Sequence, residues 1–183
     1  RSLCDQAGLS LHLDGARLFN ALVVKGETPE QYGKAFHSIS ICLSKGLGAP
    51  VGSLLLGSRA FIRQARRIRK VFGGGMRQAG MLAAAGAYAL DHHVQRLDED
   101  HRHAEAIAKA LSARSFVAHV LPVETNIVIA ELSPALTPAD LVARLKEQGV
   151  LIYAISPTRI RIVTHLDISA AMVGRTIEII DTI

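Results

Sequence analysis

In the first half of the chain, short apolar runs bounded by glycine or proline alternate with longer stretches of helical period. Leu9 to Leu13 reads as a strand closing at Asp14-Gly15, Ser38 to Leu43 as a buried strand, and Val51 to Leu56 as another. The segments between them are helical or looped, and strands alternating with helices predict an α/β architecture. After Ser58, a natural N-cap, apolar and basic positions separate at about 100° per residue. Arg59, Arg63, Arg66, Arg67 and Lys70 share one face, and Phe61, Ile62, Ala65, Ile68 and Phe72 share the other. This predicts an amphipathic helix to about Phe72, ended by Gly73-Gly74-Gly75. A solvated surface is the expectation for the basic face, ahead of one facing a phosphate or a second subunit.

From Arg77 to about Ser112 the pattern is mostly helical, with room for a bend. Its first part, Ala79 to Leu90, is rich in small apolar residues and suits a buried helix; Gln95 to His103 is charged. A boundary between a larger and a smaller domain is placed near His93. The smaller part reads as strands at Phe116 to Leu121 and Asn126 to Glu131, then a helix at Pro138 to Gln148 capped by Thr137 and ended by Gly149. Strands at Leu151 to Ile155 and Ile160 to Val163 follow, then a helix from Ser169 onward. That is an α+β layer, a sheet with helices packed on it.

Composition narrows the classes. Hydrophobic residues make up 49% and charged residues 20% of the 183, which excludes a fully solvated disordered chain. No charge-free apolar stretch reaches the length of a membrane span, so no transmembrane helix is expected. Cys4 and Cys42 form no metal or redox spacing and fit a reduced, cytoplasmic compartment. No signal peptide is visible, and the first residue is Arg1 rather than Met, so a removed N-terminus or a fragment is expected. The formal charge of +5 would suit an anionic partner, but aromatics are 4% and Trp is absent. Stacking platforms for nucleic acid are therefore scarce, and a phosphorylated cofactor or a carboxylate substrate fits the basic excess as well.

The candidate chemistry is a constellation on strand ends. Asp14 closes one strand in His12-Leu13-Asp14-Gly15-Ala16-Arg17, and Lys45 follows another in Leu43-Ser44-Lys45-Gly46-Leu47-Gly48. Arg161 lies in a late strand in Arg161-Ile162-Val163-Thr164-His165. Strand ends at the edge of an α/β sheet are where such sheets bind ligands. A buried carboxylate can keep a pyridine nitrogen protonated, a lysine can form a Schiff base with an aldehyde, and an arginine can grip an α-carboxylate bidentately. Small residues after Lys45 let the backbone pass close to a flat ligand. Taken singly, Asp-Gly after a strand is more often a turn, a lysine more often solvated, and a strand arginine more often paired at a surface.

His12 shares a strand face with Asp14, and bracing the site is expected of it ahead of base work. The group Asp91, His92, His93, Asp98, Glu99, Asp100, His101 and His103 invites a metal reading. Glu99 and His103, four apart, can share a helix face, but no third ligand has the right spacing, so no metal site is expected and a solvated charged helix is.

Four segments together resemble one family. Residues 12–17 read HLDGAR, residues 40–55 SICLSKGLGAPVGSLL, residues 73–80 GGGMRQAG and residues 161–165 RIVTH. They are similar to the L-threonine aldolases, low-specificity type, among the fold-type-I pyridoxal-phosphate enzymes. The resemblance runs through nearly the whole chain and corresponds to the C-terminal half of such an enzyme. It implies residues 1–92 as the end of a large cofactor domain and residues 93–183 as a small C-terminal α+β domain. It implies pyridoxal 5'-phosphate as cofactor, with Asp14 at the pyridine nitrogen, Lys45 as the Schiff-base lysine, and Arg17 and Arg161 at cofactor and substrate carboxylate. Arg77, in the glycine-rich loop, matches an arginine at an interface or phosphate.

The implied reaction is retro-aldol cleavage of threonine, allo-threonine and related β-hydroxy-α-amino acids to glycine and an aldehyde. In the family, the stacking and base histidines and the phosphate-holding turn lie upstream of the aspartate. The implied assembly is a homodimer or homotetramer acting on a small amino acid, with neither nucleic acid nor membrane as partner. Alternatives are an inactive fragment or pseudoenzyme of the same fold, or another pyridoxal-phosphate-dependent lyase or aminotransferase.

Overall fold

The computed structural model describes residues 1–183. They divide into two compact units, Arg1–Gln95 and Arg96–Ile183.

The first unit is built on a three-stranded sheet in the order β1 (His12–Gly15), β2 (Ser38–Cys42), β3 (Ser53–Gly57). β1 and β2 are parallel, and β2 and β3 antiparallel. Between β1 and β2 the chain forms α2 (Leu18–Lys25) and α3 (Pro29–Ala35); α1 (Ser2–Gln6) precedes them. Leu18 and Leu22 of α2 pack on Ile39 and Ile41 of β2. His37 ties α1 to this layer. Its Nδ1 accepts from Leu11 N at 2.8 Å, so Nε2 carries the proton and donates to Asp5 at 2.8 Å. Hydrogen bonds from Arg1 and then from His37 hold the Asp5 carboxyl below its ordinary pKa.

α4 (Arg59–Val71) starts where expected, with Ser58 Oγ accepting from Phe61 N. Its basic residues are exposed as expected, but so are Phe61, Ile68 and Phe72, the last 85% exposed. The apolar face was expected to be covered; here only Ile62 and Ala65 are half-buried. α5 (Gly80–His92) departs likewise. It was expected to be buried, but Met81 and Tyr88 are exposed while Gly86 and Ala89 are buried. The face bearing Gly86 and Ala89 has a covering neighbour within the unit, and the opposite face has none.

The stretch read as mostly helical from Arg77 to Ser112 is two helices, α5 and α6 (Leu97–Ser112), separated by a turn at 93–96. The start of α6 corrects the expectation of a solvated charged helix. Asp100 is completely buried, and His101 and His103 are each 9% exposed. Arg96 holds the first turn by forking to Glu99 at 3.2 Å and to Asp100 at 3.1 Å. Burial pushes the Asp100 carboxyl up, against the pull of Arg96, and pushes the His101 imidazole down.

The second unit carries a four-stranded antiparallel sheet, β4 (Val117–Val120), β5 (Ile127–Leu132), β7 (Arg159–Val163) and β6 (Tyr153–Ala154), in that order. Strand alternation sends Val128, Ala130, Ile160 and Ile162 into one core with residues of α6, α7 (Pro138–Glu147) and α8 (Ala170–Thr182). Thr137 caps α7 as read from the sequence, and Ser169, read as the first residue of the last helix, is the N-cap of α8. β6 is shorter than the expected Leu151 to Ile155, although Ile155 N still donates to Arg159 O at 2.9 Å, and Val150 N turns back to Leu145 O at 2.8 Å to close α7.

A buried polar latch joins three elements of this unit. Asn126 Nδ2 donates to Thr164 O at 2.7 Å, and Thr164 Oγ1 donates to Asp100 O at 2.6 Å.

Candidate active site

Parallel pairing of β1 and β2 brings their C-terminal ends to one edge of the sheet. Asp14 stands opposite Ser40, and Gly15 opposite Ile41. A Cβ on Gly15 would lie 2.6 Å from the Ser40 carbonyl oxygen, so glycine is what permits the strands to close up beside Asp14. Alternation along β1 turns His12 and Asp14 to one exposed face. His12 Nδ1 lies 2.8 Å from Ser38 Oγ on the facing strand, a contact that suits bracing. Asp14 Oδ1 accepts from Ala16 N at 3.1 Å, so the carboxylate is held by its own turn at the strand end. The resulting group is presented outward.

Arg17 follows in that turn, half-buried at the N-cap of α2. A small cavity has Arg17, Asn20, Cys42, Gly46 and Leu47 among its walls. The Asp14–Arg17 turn and the Lys45 turn therefore border one space.

Lys45 sits three residues beyond the end of β2, in a turn closed by its own backbone. Leu43 N donates to Gly52 O at 3.0 Å, Ala49 N to Leu43 O at 3.0 Å, and Gly48 N to Lys45 O at 2.9 Å. Gly48 has φ +69°, which a side chain would strain. Leu43, Leu47 and Ala49 are buried and Lys45 is exposed. Apolar anchors thus point inward on both sides of an amine that points out. The turns that carry Asp14 and Arg17 and the turn that carries Lys45 leave the same C-terminal edge of β1 and β2.

Arg77 belongs to the same unit but not to that edge cluster. It is exposed in the loop before α5, and the next residue, Gln78, is held at φ +50°, an unusual backbone for a side-chain-bearing residue. Arg161 lies in the second unit. It stands opposite Ile129 of β5 and Tyr153 of β6, on the sheet face away from Ile160 and Ile162, and is half-buried. Its neighbour on that face, Arg159, is committed to Glu131 at 3.0 Å.

Sequence reasoning passed over His93 as part of a possible metal group. The structure puts its Nδ1 2.6 Å from the Leu47 carbonyl, in the Lys45 turn.

The architecture is that of the fold-type-I pyridoxal-phosphate enzymes. Over 99% of its length the chain matches a Leishmania major threonine aldolase structure, with TM-score 0.77, 21% identity and 54% of that chain covered. It also matches a Plasmodium falciparum ornithine δ-aminotransferase structure, with TM-score 0.68, 15% identity and 48% of that chain covered. The family model for beta-eliminating lyases matches residues 1–135, and the chain belongs to that family. It is 48% identical over 164 residues to a low-specificity L-threonine aldolase of Escherichia coli K12, a match covering 90% of this chain and 48% of that protein. It is 42% identical over 179 residues to low-specificity L-threonine aldolase 1 of Arabidopsis thaliana, covering 96% of this chain and 50% of that protein. The chain spans about half the length of the curated relatives it matches.

Proposed function

We propose that this chain is the Lys45-bearing half of a pyridoxal-phosphate-dependent aldolase that cleaves threonine, allo-threonine and related β-hydroxy-α-amino acids to glycine and an aldehyde. In this reading residues 1–92 complete the large cofactor domain and residues 93–183 form the small C-terminal domain; the division into compact units after Gln95 supports it. The observation that carries the reading is the common edge on which parallel β1 and β2 place Asp14, Arg17 and Lys45.

The donor set fits the cofactor. Lys45 offers an outward primary amine for its aldehyde and Asp14 an outward carboxylate for its ring nitrogen, and the residues that follow Lys45, Gly46 and the exposed Gly48 among them, are small. When bound, the cofactor supplies an electron sink for the pair released as the Cα–Cβ bond breaks. The Asp14 carboxylate retains a proton on the pyridine nitrogen, which strengthens that sink. Arg17 and Arg161 hold anionic groups of cofactor and substrate; Arg161 grips the α-carboxylate and so sets which Cα bond stands perpendicular to the ring. Arg77 serves an interface or a phosphate. A base removes the proton of the β-hydroxyl.

The assembly is a homodimer or homotetramer in the cytoplasm, supplying glycine from threonine. Exposed apolar residues such as Phe72, Met76 and Met81 support association, and the two free cysteines suit a reduced compartment. No helix is long and apolar enough to cross a membrane.

The test is borohydride reduction of the complete natural chain with pyridoxal phosphate, followed by peptide mapping. The pyridoxyl group is expected on Lys45; finding it on Lys25, Lys34 or Lys70 removes the assignment. Incubation with threonine and allo-threonine should then release glycine and acetaldehyde. Keto acid or ammonia in their place would make the protein an aminotransferase or an eliminating lyase, and no product at all a pseudoenzyme.

A further inference from the structure

α5 lays Gly86, Ala89 and His93 on one face, at spacings of three and four residues. A Cβ on Gly86 would stand 3.0 Å from Leu43 Cδ1, so this face lies against the Lys45 turn. At the end of the helix, His93 Nδ1 is 2.6 Å from the carbonyl oxygen of Leu47, two residues beyond Lys45. A carbonyl oxygen only accepts, so Nδ1 carries the proton and donates. Neutral and protonated imidazole can both do this. The Tyr88 ring meets the imidazole edge-on, with centroids 5.5 Å apart and planes at 85°, which limits its rotation.

We propose that His93 is a positioning residue for Lys45. The other bonds that shape the turn, at Leu43, Gly48 and Ala49, run from backbone to backbone among residues 43–52. They fix its shape, whereas His93 ties it to α5 and so fixes its place. An amine that must meet an aldehyde at one angle gains from a backbone that does not shift. The inference rests on the reading of Lys45 as the cofactor lysine.

The test compares the complete natural chain with His93→Ala, His93→Phe and His93→Asn. Phenylalanine keeps a ring without a donor, and asparagine keeps an N–H at nearly the same place. Two readouts are taken: amide hydrogen exchange of the Gly46–Ala49 segment, and the rate at which saturating pyridoxal phosphate becomes borohydride-fixed on Lys45. Ala and Phe are expected to speed exchange about tenfold and slow fixation about fivefold, with Asn within about twofold of wild type, as suits loss and recovery of one hydrogen bond.

Wild-type behaviour in the Phe variant would mean that the ring merely packs, and overturns the proposal. Asn behaving as badly as Phe overturns it too. Should Ala fail to fold, Phe and Asn still decide. Should wild type take no label on Lys45, the cofactor reading fails, while exchange still decides whether His93 holds the turn.

Discussion

The two units bury themselves very differently. In the second, α6, α7 and α8 close over one face of the sheet, and Leu111, Leu141, Leu145, Ile160 and Ile180 are completely buried. In the first, every residue of β3 is exposed, with Leu54, Leu55 and Leu56 each 40% or more exposed, and α4 and α5 turn large apolar side chains outward. A sheet strand of three successive leucines is composed for burial on both faces. The first unit therefore presents Asp14, Arg17 and Lys45 on a scaffold whose apolar surface is unsatisfied, while the second presents Arg161 on a finished one.

The comparison breaks most decisively at Lys45. Lys45→Ala in the complete natural chain should lower kcat for threonine by about 10³-fold or more, through loss of covalent catalysis. Its melting temperature should stay close to wild type because the side chain is exposed. A variant with more than a tenth of wild-type turnover would remove Lys45 from the chemistry.

Dissection tests the scaffolds directly. Residues 96–183 made alone should melt cooperatively by circular dichroism, whereas residues 1–95 made alone should bind a hydrophobic dye and lack a sharp transition. Cooperative melting of 1–95 would show that its apolar surface needs no cover.

Core deletion gives the same contrast residue by residue. Leu141→Ala should cost about 2–5 kcal/mol in the isolated second unit, read by urea unfolding. Arg161→Ala in the complete chain should raise KM for threonine about 10–100-fold while leaving stability near wild type, whereas Arg159→Ala, which breaks only an exposed pair with Glu131, should leave KM unchanged. Equal KM in the two arginine variants would take the carboxylate from Arg161.

The smallest effect is a slope with pH. The folded-state pKa of His101 lies below its ordinary 6.5 because of burial. Above that value both folded and unfolded imidazoles are neutral. As pH falls below 6.5 the unfolded form binds protons more readily, so stability is lost until pH passes the folded pKa. Asp100 has the opposite sign, since its raised pKa makes the folded form gain protons first as pH falls. Urea titrations of residues 96–183 between about pH 7.5 and 5.5 should thus show a decline that His101→Gln reduces. An unchanged slope would mean that another group sets it.

Much of this was legible from local signals that act locally. Ser58 and Thr137 cap the helices they precede because a side-chain oxygen needs only the next turn's amides. Strand alternation separated Arg161 from Ile160 and Ile162. What escaped reading depends on distant partners. The charges at 99–103 look solvated in sequence, and Asp100 is buried only because Arg96 pairs with it and the core closes around it. The apolar face of α4 has the period of a buried face, but no residue of this unit covers Ile68 or Phe72. His93 reaches a carbonyl 46 residues away in sequence, which no spacing rule could reveal.

The exposed strand Ser53–Gly57 has a consequence for the life of the chain before it finishes folding. A leucine-rich edge with no proline is the kind of segment that pairs with its own copies. The helix that follows directly places Arg59, Arg63, Arg66, Arg67 and Lys70 beside it. Two copies meeting edge to edge would bring those like charges together, which disfavours such pairing. The basic face that reads in sequence as ordinary solvated surface therefore sets a charge cost on edge-to-edge pairing of this strand.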